Sequence, residues 1–483
     1  INQLQQWRWD PLLYTALAGN SVYTLMARDF APLQARLLSV TARLSELTRL
    51  LAQVRQSLDP ARVPPIHART AIEQNNGVLQ LITELVTPAV NTLPAEQQAN
   101  LKSAIAHARA AIAQHQIWLE KKLLPAAHGD FRLGAALYDS ELHYALGSSL
   151  SRAEIRTRAD AELGRTRVRM YELAAQVLRS TAGTLPLPAT PDPEQQQAAI
   201  AAALELAYQR QPARNEVLQT ARRALTDAES FVRSHDLVTV YDDPLEVIVM
   251  PEFQRGVSLA FCDAPGPLDR GQRTYFAVAP IPQDWTEAQV QSYLREYNTR
   301  SIYELTLHEG MPGHYLQLMH ANRYSSPLRA VLTSDSFIEG WAVYAEGVMA
   351  DAGFQDNDPL MRLIHLKWDL RTIANAILDQ GVHVEGMSRD EAMRLMMHDT
   401  FQQESEAAAK WVRAQLTAAQ LSTYFVGWQE HRALREEVQQ RWGKAFTLKR
   451  YHDALLAHGS PPVGYARELL LDLPITPNER QTP

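Results

Sequence analysis

From Leu33 to Leu58 apolar residues recur every three or four positions (Leu33, Leu37, Val40, Leu44, Leu47, Leu51, Val54, Leu58) with polar residues between them. That period predicts an amphipathic helix. Similar patterns over 68–90, 95–123, 152–181 and 194–234 read as long helices of a bundle-like lobe. Leu185–Pro193 holds four prolines in nine residues and is expected to be a loop. Residues 245–279 then shift to short β-rich runs, Glu246–Met250, Val257–Phe261 and Arg273–Val278, broken by Pro251 and a turn-like Asp263–Asp269. After Pro282 the helical period returns and persists to about Leu471. The pattern predicts a mainly α fold with one small sheet. It is divided into a helical lobe at 1–240 and a region at 241–483, the two forming one integrated unit.

The 483 residues are 46% hydrophobic and 21% charged, a balance that excludes wholesale disorder and fibrous repeats. A formal charge of −7, with Arg scattered singly, gives no basic stripe for a nucleic acid. One cysteine, Cys262, excludes an intramolecular disulfide, a multi-cysteine zinc site and an iron–sulfur cluster, and reads as a small buried residue. No stretch approaches the ~18 apolar residues of a membrane span. Oligomeric state is not written in the sequence.

Chemistry concentrates in Leu307-His308-Glu309-Gly310-Met311-Pro312-Gly313-His314, which follows the helical run Trp285–Thr306. A His-Glu pair with a second His is the vocabulary of zinc-peptidase helices, where two imidazoles hold the metal and Glu is the general base. Here, however, the second His stands six residues on, and position 312 is proline. On a regular helix six steps of ~100° turn the two side chains ~120° apart. Both can reach one ion only if the helix is distorted, and Pro312-Gly313 is where a kink or two-residue bulge is expected. His-Glu also arises by chance, and Pro-Gly often just ends a helix, so this segment alone admits either reading.

Phe337-Ile338-Glu339-Gly340-Trp341-Ala342-Val343-Tyr344-Ala345-Glu346 tips the balance. Glu339 and Glu346, seven apart, share a helix face, and catalytic zinc sites commonly combine two His with one carboxylate. A helix glutamate is ordinarily solvated, but the aromatic neighbours of Glu339 imply burial, and a buried carboxylate needs a partner. Glu346 is either an outer residue orienting a ligand His or one half of a structural ion pair.

These residues resemble a large bacterial family, the domain of unknown function 885 family, regarded as zincin-like and peptidase-like. Its hallmarks, His-Glu-Gly-x-Pro-Gly-His-x-x-Gln and Glu-Gly-Trp-Ala-x-Tyr-x-Glu, stand at 308–317 and 339–346. Further matching segments are Phe131–Leu142, Tyr275–Val278, Tyr293–Asn298, Asp379–His383, Arg413 with Tyr424, and His452 through Pro462. Nearly the whole chain is covered. One departure is Ala418, where the family usually has proline. Typical members carry additional N-terminal sequence.

The resemblance implies a zincin-like architecture of two helical lobes around a deep cleft, with the sheet beside the metal-binding helix. It implies one Zn2+ per chain held by His308, His314 and Glu339, with Glu309 as general base. His383, Tyr424 and His452 are candidate donors to the substrate oxyanion, because each lies in a segment resembling a family motif. The ordinary reading of such a histidine is a satisfied core or surface residue. Arg413 could clasp a substrate carboxylate, or form a surface ion pair, and Glu346 could hold a substrate amine. A strand from 245–279 is expected to pair with extended substrate.

The expected function is hydrolysis of short peptides from the C-terminal end, of carboxypeptidase or oligopeptidase type. A metal-dependent hydrolase of a non-peptide amide or ester and a non-catalytic binding protein on the same scaffold stay open. Relatives imply export to the periplasm of a Gram-negative cell, though one cysteine fits the cytoplasm equally.

Overall fold

The structure, a computed structural model, describes residues 3–181, 187–255, 259–266, 269, 271–324 and 326–475. It is mainly α with a three-stranded sheet. The chain forms two compact units, one of Ile1–Leu133 with Val249–Leu259 and Asp269–Arg273, the other of Gly134–Ile248, Ala260–Leu268 and Thr274–Pro483.

The first unit contains the helices Pro11–Met26, Leu33–Ser57, Pro65–Leu81 and Ala95–Trp118. Its core is the predicted stripe: Leu37, Val40, Leu44, Leu47 and Leu51 pack with Leu101, Ala104, Ala108 and Ile112. The run expected over 68–90 begins as an α-helix at Pro65 and loosens after Leu81 into a wider turn and then a tighter one that ends at Thr92.

All of the candidate chemistry lies in the second unit. The expected boundary near residue 240 falls inside this unit, because Val217–Ser234 packs on the helix Thr299–Glu309 and Arg152–Ser180 packs on Pro359–His383. The run predicted over 194–234 is two helices, Pro193–Tyr208 and Val217–Ser234, with Pro212 in the connection. Trp285–Thr306 likewise divides into Glu287–Glu296 and Thr299–Glu309.

The sheet comprises β1 (Leu245–Val249), β2 (Ala260–Asp263) and β3 (Thr274–Val278) in the order β1-β3-β2. β2 and β3 are antiparallel, with Ala260 opposite Val278 and Cys262 opposite Phe276. Phe276, Ala277 and Val278 are buried, and Cys262 is half-buried. β2 packs beside Thr299–Glu309, where the sheet was expected. Of the predicted run Val257–Phe261, residues 257 and 258 lie outside the described residues. So do residues 185 and 186 of the proline-rich loop, and 267 and 268 of the Asp263–Asp269 turn.

Candidate metal centre

The motif helix Thr299–Glu309 is started by Asn298, whose side chain accepts from the backbone N–H of Arg300 and Ser301. The helix stops after Glu309. Gly310, a cis Met311–Pro312 peptide and Gly313 intervene, and a new helix runs His314–Ala321. The interruption is therefore a complete break, larger than a kink or bulge. It is closed by its own hydrogen bonds, Met311 N–H to Thr306 O at 3.2 Å and Gly313 N–H to Leu307 O at 2.9 Å. A Cβ on Gly313 would lie 1.9 Å from the carbonyl oxygen of His308, so only glycine permits this approach. The Trp341 indole donates to Pro312 O at 2.9 Å and ties the break to the next element.

That element is the glutamate helix Asp335–Asp351, capped by the Ser334 hydroxyl. Glu339 and Glu346 approach His308 from two sides. Glu339 Oε2 lies 3.5 Å from His308 Nε2 and 3.3 Å from His314 Nε2, while Glu346 Oε1 accepts from His308 Nδ1 at 2.6 Å. With Nδ1 turned toward Glu346, Nε2 is the His308 nitrogen that faces Glu339. Glu339 Oε2 is buried and receives no hydrogen bond among the described residues. Two imidazole nitrogens and a carboxylate oxygen converging in a buried place favour positive charge among them, as a proton or as a metal ion. Ligands ~2.05 Å from a tetrahedral zinc sit roughly 3.3 Å apart, and the observed separations fit that figure. A zinc ion thus suits the residues present.

Electrostatics point the same way. Burial opposes charge on His308, but Glu339 and Glu346 outweigh it and hold its imidazolium well above the ordinary histidine range. Burial would raise Glu339, yet His308 and His314 keep it far below the usual carboxylate range. Burial lifts Glu346 to about 7 against the pull of His308. Carboxylates that favour a proton on His308 equally favour a metal ion.

Glu309 ends the motif helix, 7% exposed and close enough to His308 to act on its charge. Tyr424 lies against the centre: its ring stacks on His308 with centroids 6.0 Å apart and planes at 16°. Arg413 Nη2 donates to the Tyr424 hydroxyl at 3.0 Å and to Gln420 Oε1 at 2.9 Å. Gln420 Nε2 in turn donates to Glu339 Oε1 at 3.2 Å. Gln420 is a part of the site that the sequence does not mark. It lies between two residues already singled out, and its neutral side chain carried no chemical signal.

Gln420 and Tyr424 sit on the clasp helix Gln420–Trp442, which begins after Ala419 in a left-handed conformation, φ 64°. The Asp379 carboxylate fixes that start by accepting from Ala419 N–H, Ser422 N–H and the Ser422 hydroxyl at 3.1, 3.0 and 2.9 Å. Asp379 thereby positions Gln420 and Tyr424.

The other predicted residues have different surroundings. Glu346 is 1% exposed beneath His308, in the place of an orienting carboxylate. His383 Nε2 lies 2.9 Å from both the Ala414 and Thr417 carbonyls, and its ring stacks on Tyr138. His452 uses both ring nitrogens, Nδ1 with Leu237 O and Nε2 with the Tyr344 hydroxyl, each at 2.8 Å. Burial lowers its pKa to about 4, so it stays neutral. A nitrogen committed to a carbonyl is not free to donate to a substrate oxyanion. These contacts commit His383 and His452 to the packing, and of the three only Tyr424 lies against His308.

Replacing Glu346 by Ala should weaken zinc binding about 10- to 100-fold, as loss of a ligand's outer partner does. Titration against a chromophoric chelator checks this, and an unchanged zinc affinity would remove Glu346 from the metal centre.

The family described as "Bacterial protein of unknown function (DUF885)" matches residues 1–470, and the chain belongs to it. A "putative lipoprotein of unknown function" from Shewanella oneidensis has a similar structure, with TM-score 0.75 and 32% identity over 96% of this chain and 83% of that one. A "putative lipoprotein" from Colwellia psychrerythraea shares the fold, with TM-score 0.70 and 21% identity over 91% of this chain and 76% of that one. No curated protein matches the chain. Among the described residues, no helix is long and apolar enough to cross a membrane.

Proposed function

We propose that the protein is an exported zinc-dependent peptidase that hydrolyses short peptides, of carboxypeptidase or oligopeptidase type. The observation that carries this reading is the convergence of His308 Nε2, His314 Nε2 and Glu339 Oε2, with Glu309 next to His308. Bound there, zinc supplies Lewis acidity toward a substrate carbonyl and a water molecule. Glu309 takes a proton from the attacking water and returns it to the departing amine, so the C–N bond breaks without net proton exchange. The Tyr424 hydroxyl accepts from Arg413, which leaves its own proton to donate to the oxyanion. Burial raises the Tyr424 pKa, against the pull of Arg413, so the phenol keeps that proton at neutral pH. Glu346 holds His308 in the tautomer and orientation the metal needs. β2, an edge strand beside the motif helix, supports pairing with an extended substrate backbone. Export is carried over from the two Gram-negative relatives described as lipoproteins.

Metal analysis of the purified chain, followed by digestion of a mixed peptide library read by mass spectrometry, tests the proposal. One zinc per chain and cleaved peptides are expected. Zinc without cleavage would turn the reading toward a non-peptide amide or ester, or a binding role. Absence of any stoichiometric metal would overturn it.

A further inference from the structure

Beside the metal centre, three basic side chains from two helices crowd around one carboxylate. Arg371 comes from the long helix Pro359–His383, and Lys410 and Arg413 from the helix Glu404–Leu416. Glu406 pairs with Arg371 at 2.6 Å and lies 3.8 Å from Lys410, and it also accepts from the Tyr297 hydroxyl at 2.6 Å. Nearby Glu296 is committed to Lys367 at 2.7 Å. The hydrogen-bond partners of Arg413 are the neutral Gln420 and Tyr424, and its Nε is buried without an acceptor among the described residues. Burial, reinforced by Arg371 and Arg413, pushes Lys410 well below the ordinary lysine range. That is how a side chain in a cluster with surplus positive charge responds.

Glu406 and the more distant Glu339 balance the three cations only in part, and buried charge of that kind is costly unless a further anion completes the set. Arg413 is also well placed to hold one. Two hydrogen bonds through Gln420 connect it to Glu339, a reach of roughly one to two residues of extended chain. Its guanidinium presents several donors, and a carboxylate accepts two of them side by side.

We propose that Arg413, backed by Lys410 and Arg371, is the subsite for the α-carboxylate of the substrate, so that peptides are taken by their free C-terminal end. This rests on the peptidase reading and adds the recognition group to it. An α-carboxylate is the one anion every peptide carries whatever its sequence. An acidic side chain is the other source of the same chemistry, and the experiment separates the two.

The experiment uses tetra-alanine, its C-terminal amide, and the amide of Ala-Ala-Glu-Ala. Binding is measured by calorimetry to the zinc-loaded Glu309→Gln variant, and turnover is measured on the wild-type zinc enzyme. The free acid is expected to bind on the order of 100-fold more tightly than its amide, the range of a hydrogen-bonded ion pair. Internal glutamate should not restore the loss. In Arg413→Gln the ratio between acid and amide should collapse toward one, and Arg413→Lys should recover part of it.

Equal affinity for acid and amide, binding of neither, or full rescue by internal glutamate would each overturn the α-carboxylate subsite. Because two of the three comparisons vary only the ligand, misfolding of an Arg413 variant cannot obscure them. A preference for the free acid with no turnover would keep the subsite and sink the peptidase. Cleavage of acid and amide at equal rates would do the reverse.

Discussion

Glu309→Gln is expected to keep one zinc per chain while losing about 10^3-fold or more in turnover, within the roughly 10^2 to 10^4 that a positioned general base supplies. The amide matches the carboxylate in size, so the buried end of the motif helix is preserved. What disappears is the ability to accept a proton from water. Metal content and peptide hydrolysis measured on one preparation check both halves. Wild-type rates would end the base assignment. Loss of zinc along with activity would instead make Glu309 part of the metal's support.

The candidate metal centre, as a cluster of side chains, was legible because its signals are local and chemically unusual. His308, Glu309, His314 and Glu339 announce themselves by residue type, and Pro312-Gly313 marks where the helix has to give way. What the sequence understated was the extent of that break. A proline predicts a missing hydrogen bond, but the approach of Gly313 to the His308 carbonyl depends on the whole turn.

The helix endings at Glu296 and Tyr208 were also within reach. Asn298 before Thr-Arg-Ser is an N-cap signature, and Pro212 is a plain interruption. Both were overridden by apolar periodicity that continues across the gap.

The outer parts of the site were harder for a different reason. Gln420, Asp379 and Lys410 act through partners distant in sequence: Gln420 on Glu339, Asp379 on the start of the clasp helix, Lys410 against Arg371. No spacing rule within one segment encodes such pairs. His383 and His452 show the converse problem. A histidine in a motif-bearing segment looks alike in sequence whether it faces a substrate or a backbone carbonyl. The unit boundary after Leu133 was hidden too, since helical patterning continues on both sides of it.

Gly427→Ala should be among the most damaging single-methyl changes in the second unit. The glutamate helix and the clasp helix cross at Gly340 and Gly427, with backbone against backbone. A Cβ on Gly427 would stand 1.8 Å from the Ser336 carbonyl oxygen and 2.8 Å from the Gly340 Cα. Neither neighbour is a side chain that can rotate away, so the helices must separate. Overpacking of this kind costs about 3 kcal/mol or more when backbone has to move. The crossing also sets the reach of Gln420 and Tyr424 toward Glu339 and His308, so zinc affinity should fall with stability. Gly164 provides the control. It lies exposed within the helix Arg152–Ser180, and a Cβ there meets nothing within 4 Å. Gly164→Ala should gain about 0.5 to 1 kcal/mol from helix propensity alone. Urea midpoints of the two variants, measured beside chelator titrations, give the comparison. If Gly427→Ala matched the wild type in midpoint and zinc affinity, the close crossing would not be what holds the two halves of the metal centre together.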